Sequence, residues 1–407
     1  MIAGALLNIA ASSLWANKLR SGLTLLGVVI GVMSVMTIIS ALEGMMKSIE
    51  DQLAVLGPTT FVVQKFGLIR SHEQFMEARK RKPLTLDDAR AIEEACELCV
   101  DLSTRVFTFS DVKYGRQTLR DVAIAGSDAS YINIVELEVA QGRFHSGQED
   151  QYRRQVAFIG DQIREDLFPN LDPIGKEIRI DGQKYTVIGL AEKLDAGFGN
   201  NPNNFVVIPT STFIKEYGEP KRFGVNIFVK AESIEKLQEA QDEVRMVLRS
   251  RRHVPYNDPD DFAIMTADSI LEFVNDITRM LRFGLIAISS ISLVVGGIVV
   301  MNIMMVAVSE RTREIGIRKS IGAKQNHILL QFLFESLLVT LLGGILGIII
   351  GYVLANWGMA KIGMEIEPSM FAIFSGLGVS TGIGLIFGIY PAMKAARLDP
   401  IKALSYE

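Results

Sequence analysis

RFGLIAISSISLVVGGIVVMNIMMVAVSERTREIGIRKSIGAK, residues 282–324, decides the architecture: 27 residues without a charge separate Arg282 from Glu310, and charge then returns all at once. At about 1.5 Å per residue, roughly 20 helical residues cross the ~30 Å hydrocarbon layer, where every backbone N–H and C=O must bond within the helix. Three further runs are long enough: 22 uncharged residues between Arg20 and Glu43, 25 over 336–360 and 26 over 368–393. Core helices of a soluble protein would show polar interruptions at helical period, and these runs do not. The chain reads as a membrane protein with four transmembrane α-helices at 20–43, 283–308, 328–356 and 368–393.

Lys and Arg near span ends mark the cytoplasmic side. Lys18 and Arg20 precede the first span, Arg311, Arg313, Arg318, Lys319 and Lys324 follow the second, and Lys394, Arg397 and Lys402 follow the fourth, whereas the loop 357–367 holds only Lys361. Both termini, the segment 309–324 and the tail 394–407 are therefore expected in the cytoplasm, with the long stretch after the first span outside it. The first 17 residues are uncharged, and Ile2, Leu6, Ile9 and Ser13 share one face that ends near Trp15, so 1–19 is expected to lie as an amphipathic helix in the inner interface. The first run is full length and lacks a clear cleavage site, so it is expected to remain as an anchor. A net charge of −4, with no basic stripe away from the membrane-proximal loops, argues against nucleic acid as a partner.

Residues 44–282 are expected to form a mixed α/β domain between two helical stalks. Leu42, Met45, Ile49, Leu53 and Leu56 form an apolar seam over the stalk 44–58, and Ile270, Phe273, Val274, Ile277 and Leu281 form another over 269–282. Between them, in 59–268, a strand at 61–66, a helix at 85–95 led by Thr85 and a strand at 102–107 make one strand, helix, strand unit. The order returns with a strand at 225–229, a helix at 233–249 with Ser233 as its N-cap, and a strand at 262–265. Two such halves imply a small split sheet, interrupted at about 114–217 by an inserted, mainly β subdomain with short strands at 155–159, 177–180, 184–188 and 205–208. Asp181-Gly182 is a two-residue hairpin turn, because Gly tolerates positive φ. Residues 197–204, GFGNNPNN, read as a mobile loop.

The segment 309–324 holds two acidic and five basic residues, with Glu314 and Arg318 one turn apart. Charge alone does not separate an anchor on lipid headgroups from a docking element. Ile315, Ile317 and Ile321 alternating with charge, and Gly316 and Gly322 where a neighbour could approach, favour docking onto a protein. Gly27 and Gly31, Gly343, Gly347 and Gly351, Gly378 and Gly382, and Gly384 and Gly388 are spaced for close helix approach, either in a compact bundle or on a sliding surface. Glu335 falls inside the third span, where it either snorkels towards the interface or pairs with an Arg of 309–324, and Asn302 in the second span is expected to bond across helices. Cys96 and Cys99 either close a short disulfide or stay as buried thiols, and with four scattered histidines no metal site is expected. No GxSxG, HExxH or paired-carboxylate arrangement points to catalysis by this chain.

With these pieces in order, the chain resembles the MacB and FtsX permease family of ABC transporters. The likeness runs through NKLRSGLTLLGVVIGV from Asn17, GSDASY and QGRF up to Phe144, VAFIGDQIREDLFPNLDPIGKEIRIDG from Val156, VIPTSTF from Val207, DDFAIMTADSI from Asp260, ERTREIGIRKSIGAK from Glu310 and YPAMKAARLDPIKAL from Tyr390. The resemblance implies that Glu310, Arg311, Thr312, Arg313, Glu314, Ile315, Gly316, Arg318 and Lys319 form a coupling helix seated on a cytoplasmic ABC ATPase. It implies a porter-like part beside the inserted β part, a second permease copy, and a place as a multi-pass protein of the bacterial inner membrane. No GxxxxGK[ST] phosphate loop occurs, so ATP and Mg are expected on a separate ATPase chain and no cofactor on this one. The function expected is ATP-driven export of extracytoplasmic peptides, lipoproteins or hydrophobic drugs, with a periplasmic adaptor and an outer-membrane channel. Control of a cell-wall hydrolase, or ligand sensing without an ATPase, are the alternatives.

Overall fold

The computed structural model describes residues 18–194, 201–218, 224–361 and 367–404. In chain order the elements are α1 (Lys18–Ala54), β1 (Thr60–Gln64), α2 (His72–Lys80), α3 (Leu86–Ala95), β2 (Cys99–Tyr114), β3 (Gln117–Ser127), α4 (Tyr131–Ile134), β4 (Val139–Gly142), α5 (Gly147–Gln151), β5 (Val156–Ile159), α6 (Asp161–Leu167), β6 (Glu177–Ile180), β7 (Gln183–Ala191), β8 (Phe205–Pro209), α7 (Thr210–Tyr217), β9 (Asn226–Ala231), α8 (Leu237–Arg251), β10 (Ala263–Thr266), α9 (Ala267–Glu310), α10 (Thr312–Ser320), α11 (Gln325–Ala360), α12 (Met370–Ala396) and α13 (Pro400–Leu404). Two compact units result: residues up to Met45 with those from Ile277 onward, and Met46–Asp276. The interfacial segment expected at 1–19 lies outside the described residues except for Lys18 and Leu19, which already belong to α1. Residues 197–200 of the loop expected at 197–204 and 362–366 of that expected at 357–367 also fall outside them, while 357–360 continue the helix that ends at Ala360.

In the first unit, α1, α9, α11 and α12 are long and apolar enough to cross a membrane. Stalk and span do not separate along α9, which is one helix of 44 residues. Its start is set by Thr266 and Ser269, each hydroxyl accepting the other residue's backbone N–H at 3.0 Å, a reciprocal cap. The bundle closes through glycine. A Cβ at Gly27 would stand 3.2 Å from the Cα of Gly296, at Gly31 3.1 Å from Leu293 Cγ, at Gly343 3.0 Å from Val28 Cβ, at Gly347 2.9 Å from Val32 Cβ, and at Gly351 2.9 Å from the Met33 carbonyl oxygen. Hydroxyls cross the same contacts, Thr37 donating to the Gly351 carbonyl at 3.1 Å and Ser336 to that of Gly384 at 3.0 Å. Gly378 and Gly382 depart from the expectation, since a Cβ at either meets nothing within 4 Å. The face of α12 that approaches its neighbours carries Gly376, Gly384 and Gly388 instead.

The second unit is built on one ten-stranded sheet in the order β10-β1-β9-β2-β3-β8-β5-β7-β4, with β6 pairing β2 and β7. The two strand, helix, strand halves interleave: β9 lies between β1 and β2, and β1 lies between β9 and β10. The segment expected as a separate β subdomain joins the same sheet. β2, expected over 102–107, runs 16 residues and pairs β9 along its first part, β3 along most of its length and β6 near its end, where Val112 faces Ile180. Such sharing has no local signal, because partners as far along the chain as Ile180 and Val229 leave no mark on the alternation of β2 itself. At the hairpin, Asp181 (φ 48) and Gly182 (φ 87) both take positive φ, the requirement of a type I′ turn. α2 has no counterpart in the sequence reading.

α3 begins with a capping box, Thr85 and Asp88 exchanging side-chain to backbone bonds. Asp88 is buried, and its second task is to receive Arg251 Nε at 2.9 Å and Arg252 Nη1 at 3.0 Å, which pins α8 to α3. α8 starts three residues later than the Ser233 cap predicts, because 234–236 form a turn. Cys96 and Cys99 are joined by a disulfide at the turn from α3 into β2. Two apolar clusters line the sheet, one containing Phe61, Ile92, Tyr185 and Val244, the other containing Tyr131, Ile134, Phe144, Phe158 and Phe228.

Candidate functional site

α9 stops at Glu310 because Arg311 leaves helical geometry (φ −102, ψ 16). The hydroxyl of Thr312 turns back onto the Val308 and Ser309 carbonyls at 3.1 and 2.8 Å, occupying acceptors that the ended helix leaves open. α10 then runs nine residues and closes at Gly322, whose φ of +98 lets Ala323 N–H reach the Arg318 carbonyl at 3.0 Å.

The break at Arg311 resets the helical phase and so decides which side chains face inwards. Thr312, Ile315 and Gly316 are buried, Ile315 at 2% exposure among Val308, Ile328, Phe332, Ala392 and Ala395. Gly316 therefore serves internal packing, not the outer surface expected of it. Lys319 also turns in: its Nζ donates to the Ala396 and Leu398 carbonyls, both at 2.6 Å, at the C-terminal end of α12, where exposed carbonyls carry partial negative charge. Arg318 pairs with Glu314 and donates to Gln331 Oε1 at 2.6 Å on α11. Arg311 Nη1 lies 3.3 Å from both carboxylate oxygens of Glu335, which is 10% exposed. A guanidinium at that distance lets a carboxylate remain in an apolar helix.

The other face of α10 carries Arg313, Glu314, Ile317 at 45% exposure and Ser320, with Ile321 at 82% just beyond. The three isoleucines thus do not share a face, and only Ile317 and Ile321 look outwards. Glu310 is exposed as well. Asn302, expected to bond across helices, is exposed on α9, and its side chain makes no hydrogen bond among the described residues. Gln331 was missed by the sequence reading, although it precedes Glu335 by one helical turn and so shares its face.

Charged groups of the second unit serve its architecture. Glu149 caps α5 through Ser146 and receives Arg143 Nη1 and Nη2 at 2.7 Å, and these bonds, chiefly the Arg143 guanidinium, hold its carboxyl down to about 2. His145 is buried against Phe144, and its Nε2 is 2.9 Å from the Ser127 carbonyl; burial keeps its pKa below the usual imidazole range.

The comparisons with known proteins match the chain in two parts. A family described as the MacB-like periplasmic core domain matches residues 21–247, and the FtsX-like permease C-terminal family matches 286–400. The macrolide export ATP-binding/permease protein MacB of Bdellovibrio bacteriovorus is 34% identical over 397 residues, covering 97% of this chain and 60% of that protein. Its counterpart in Bradyrhizobium diazoefficiens is 35% identical over 408 residues, covering 98% and 60%. The chain thus spans about 60% of the length of these relatives. The crystal structure of the periplasmic region of MacB from Actinobacillus actinomycetemcomitans aligns with a TM-score of 0.46 at 18% identity, over 55% of this chain and 95% of that one. With an extracytoplasmic α/β domain of the MacB type between the first and second of four membrane helices, and an FtsX-like permease region after it, the chain belongs to the MacB-type ABC transporter permease family.

Proposed function

We propose that this chain is the permease of an ABC exporter that works by mechanotransmission. ATP and Mg bound on a cytoplasmic ATPase drive α10, and the movement passes along α9 and α1 to the extracytoplasmic domain. Both termini and α10 lie in the cytoplasm, the membrane is the bacterial inner membrane, and a second permease copy supplies a second α10. Substrate is an extracytoplasmic peptide, lipoprotein or hydrophobic drug, handed to a periplasmic adaptor and onward to an outer-membrane channel. Control of a cell-wall hydrolase would use the same device with a different reader outside.

The observation that carries this reading is the two-sidedness of α10. One side is tied into the bundle by Ile315, Lys319 and Arg318, while Arg313, Ile317 and Ile321 stand exposed. An anchor that touched lipid headgroups alone would need the basic residues and not the exposed isoleucines. A handle needs both, a firm inner attachment and an outward face of mixed charge and apolar surface. Arg313→Glu with Ile317→Asp alters only the outward face. It should lower ATPase capture and transport-stimulated ATP turnover of the reconstituted complex by about tenfold or more, the scale of removing an interface anchor, with membrane insertion unchanged. Undiminished capture and turnover would defeat the assignment.

A further inference from the structure

The second apolar cluster of the extracytoplasmic unit does not close. Val135, Leu137 and Val207, with the half-buried Val55, Leu194 and Phe205, surround a cavity of about 350 Å³. Protein interiors are close-packed, and voids on the scale of about 300–1,000 Å³ are those of small-ligand sites.

The polar groups at this cavity differ in how far they are satisfied. Lys193 is already paired with Glu165 at 3.2 Å. Arg105, on β2, is not paired with a carboxylate among the described residues. Its Nη1 donates to Tyr131 Oη at 3.1 Å, its guanidinium stands 5.6 Å from the Tyr131 ring centre, and its Nε is buried with no hydrogen-bond partner. A buried guanidinium donor without an acceptor is costly unless something arrives to take it. Arg105 also lines a second cavity of about 570 Å³, where Asn204 Oδ1 is likewise buried and unpartnered. With Lys193 held by Glu165, Arg105 is the cation on the first cavity's lining left without a carboxylate among the described residues, which gives the site a place for one anionic group, and Asp51, the one acid on the lining, disfavours a second.

We propose that this cavity binds an amphiphile with a single anionic group, the anion accepting from Arg105 and the apolar body lying against Val135, Leu137 and Phe205. This deepens the exporter reading by naming a substrate class, and it is tested without the ATPase, so either can fail while the other stands. The full chain in nanodiscs of uncharged lipid is irradiated with a diazirine-bearing decanoic acid or with its methyl ester, and labelled peptides are mapped by mass spectrometry. The acid should label peptides holding residues 131–137 and 205–207 about tenfold more than the ester, the scale of a charge-assisted hydrogen bond. Arg105→Gln should bring the acid down to the ester's level, Arg105→Lys should keep part of the preference, and Val135→Trp should remove both labels. The proposal is overturned if the acid and ester label these peptides equally in the unaltered chain, if neither labels them, or if the acid's labelling survives both Arg105→Gln and Val135→Trp.

Discussion

Glu335 shows how much one side chain reports and how much it withholds. Its charge in an apolar run marks it as a residue needing a partner, and the sequence offers an Arg of the preceding segment 309–324 for that part. Which Arg depends on where α9 ends, and the structure chooses Arg311, the residue in the break. Replacing Glu335 with Gln takes this carboxylate away from the half-buried guanidinium. Stability should fall by about 3 kcal/mol, read as a lower apparent Tm of the chain in detergent. The exchange Arg311→Glu with Glu335→Arg should recover much of the loss, and an exchanged pair no better than the single variants would show that the contact contributes little. Lys319 teaches the opposite lesson. Read as one more positive charge on a docking surface, it instead caps α12 from within, because the phase of α10 is counted from Thr312 and not from the start of the charged run.

Helix and strand positions were legible wherever a period was long. The four apolar runs became four helices, and the turn at Asp181-Gly182 took the φ values its residues invite. Spacing alone could not say which glycines meet a neighbour, since a four-residue repeat defines a stripe but not the direction it faces. Gly347 and Gly382 separate the two cases. A side chain at Gly347 would press on Val32 Cβ at 2.9 Å and on the backbone oxygen of Val29 at 3.0 Å, neither able to swing aside, whereas Gly382 has open space. Gly347→Leu should cost at least about 2 kcal/mol and raise protease sensitivity of the spans, while Gly382→Leu should leave both unchanged. Equal effects would mean that helix approach is not what Gly347 serves. The late start of α8 has a similar root: a Ser followed by an acidic residue caps a turn as readily as a helix, and 234–236 form the turn.

The extracytoplasmic unit was legible as two strand, helix, strand halves, and not as a single sheet, because long-range pairing is decided by partners far apart in the chain. Its response to acid is set by groups that meet only in the folded state. Burial holds the imidazole of His145 below its usual pKa, against the pull of Asp150, Glu149 and Asp128, so the unfolded chain binds this proton more tightly than the native one. Stability should therefore decline as pH falls below about 6.5. Glu149 works lower, its native value near 2 adding stability that is present above about 4.5 and lost on the way down. Thermal unfolding of the whole chain between pH 7.5 and 5.5 should show a decline that His145→Asn flattens, and a slope unchanged in that variant would place its source elsewhere. The long strand β2 has a practical corollary. Because it holds β9, β3 and β6 at once, a chimaera that grafts a relative's substrate-facing segment by cutting within residues 99–127 would sever the seam of the whole sheet. Domain shuffling in this family is workable only when that ribbon travels intact with one parent.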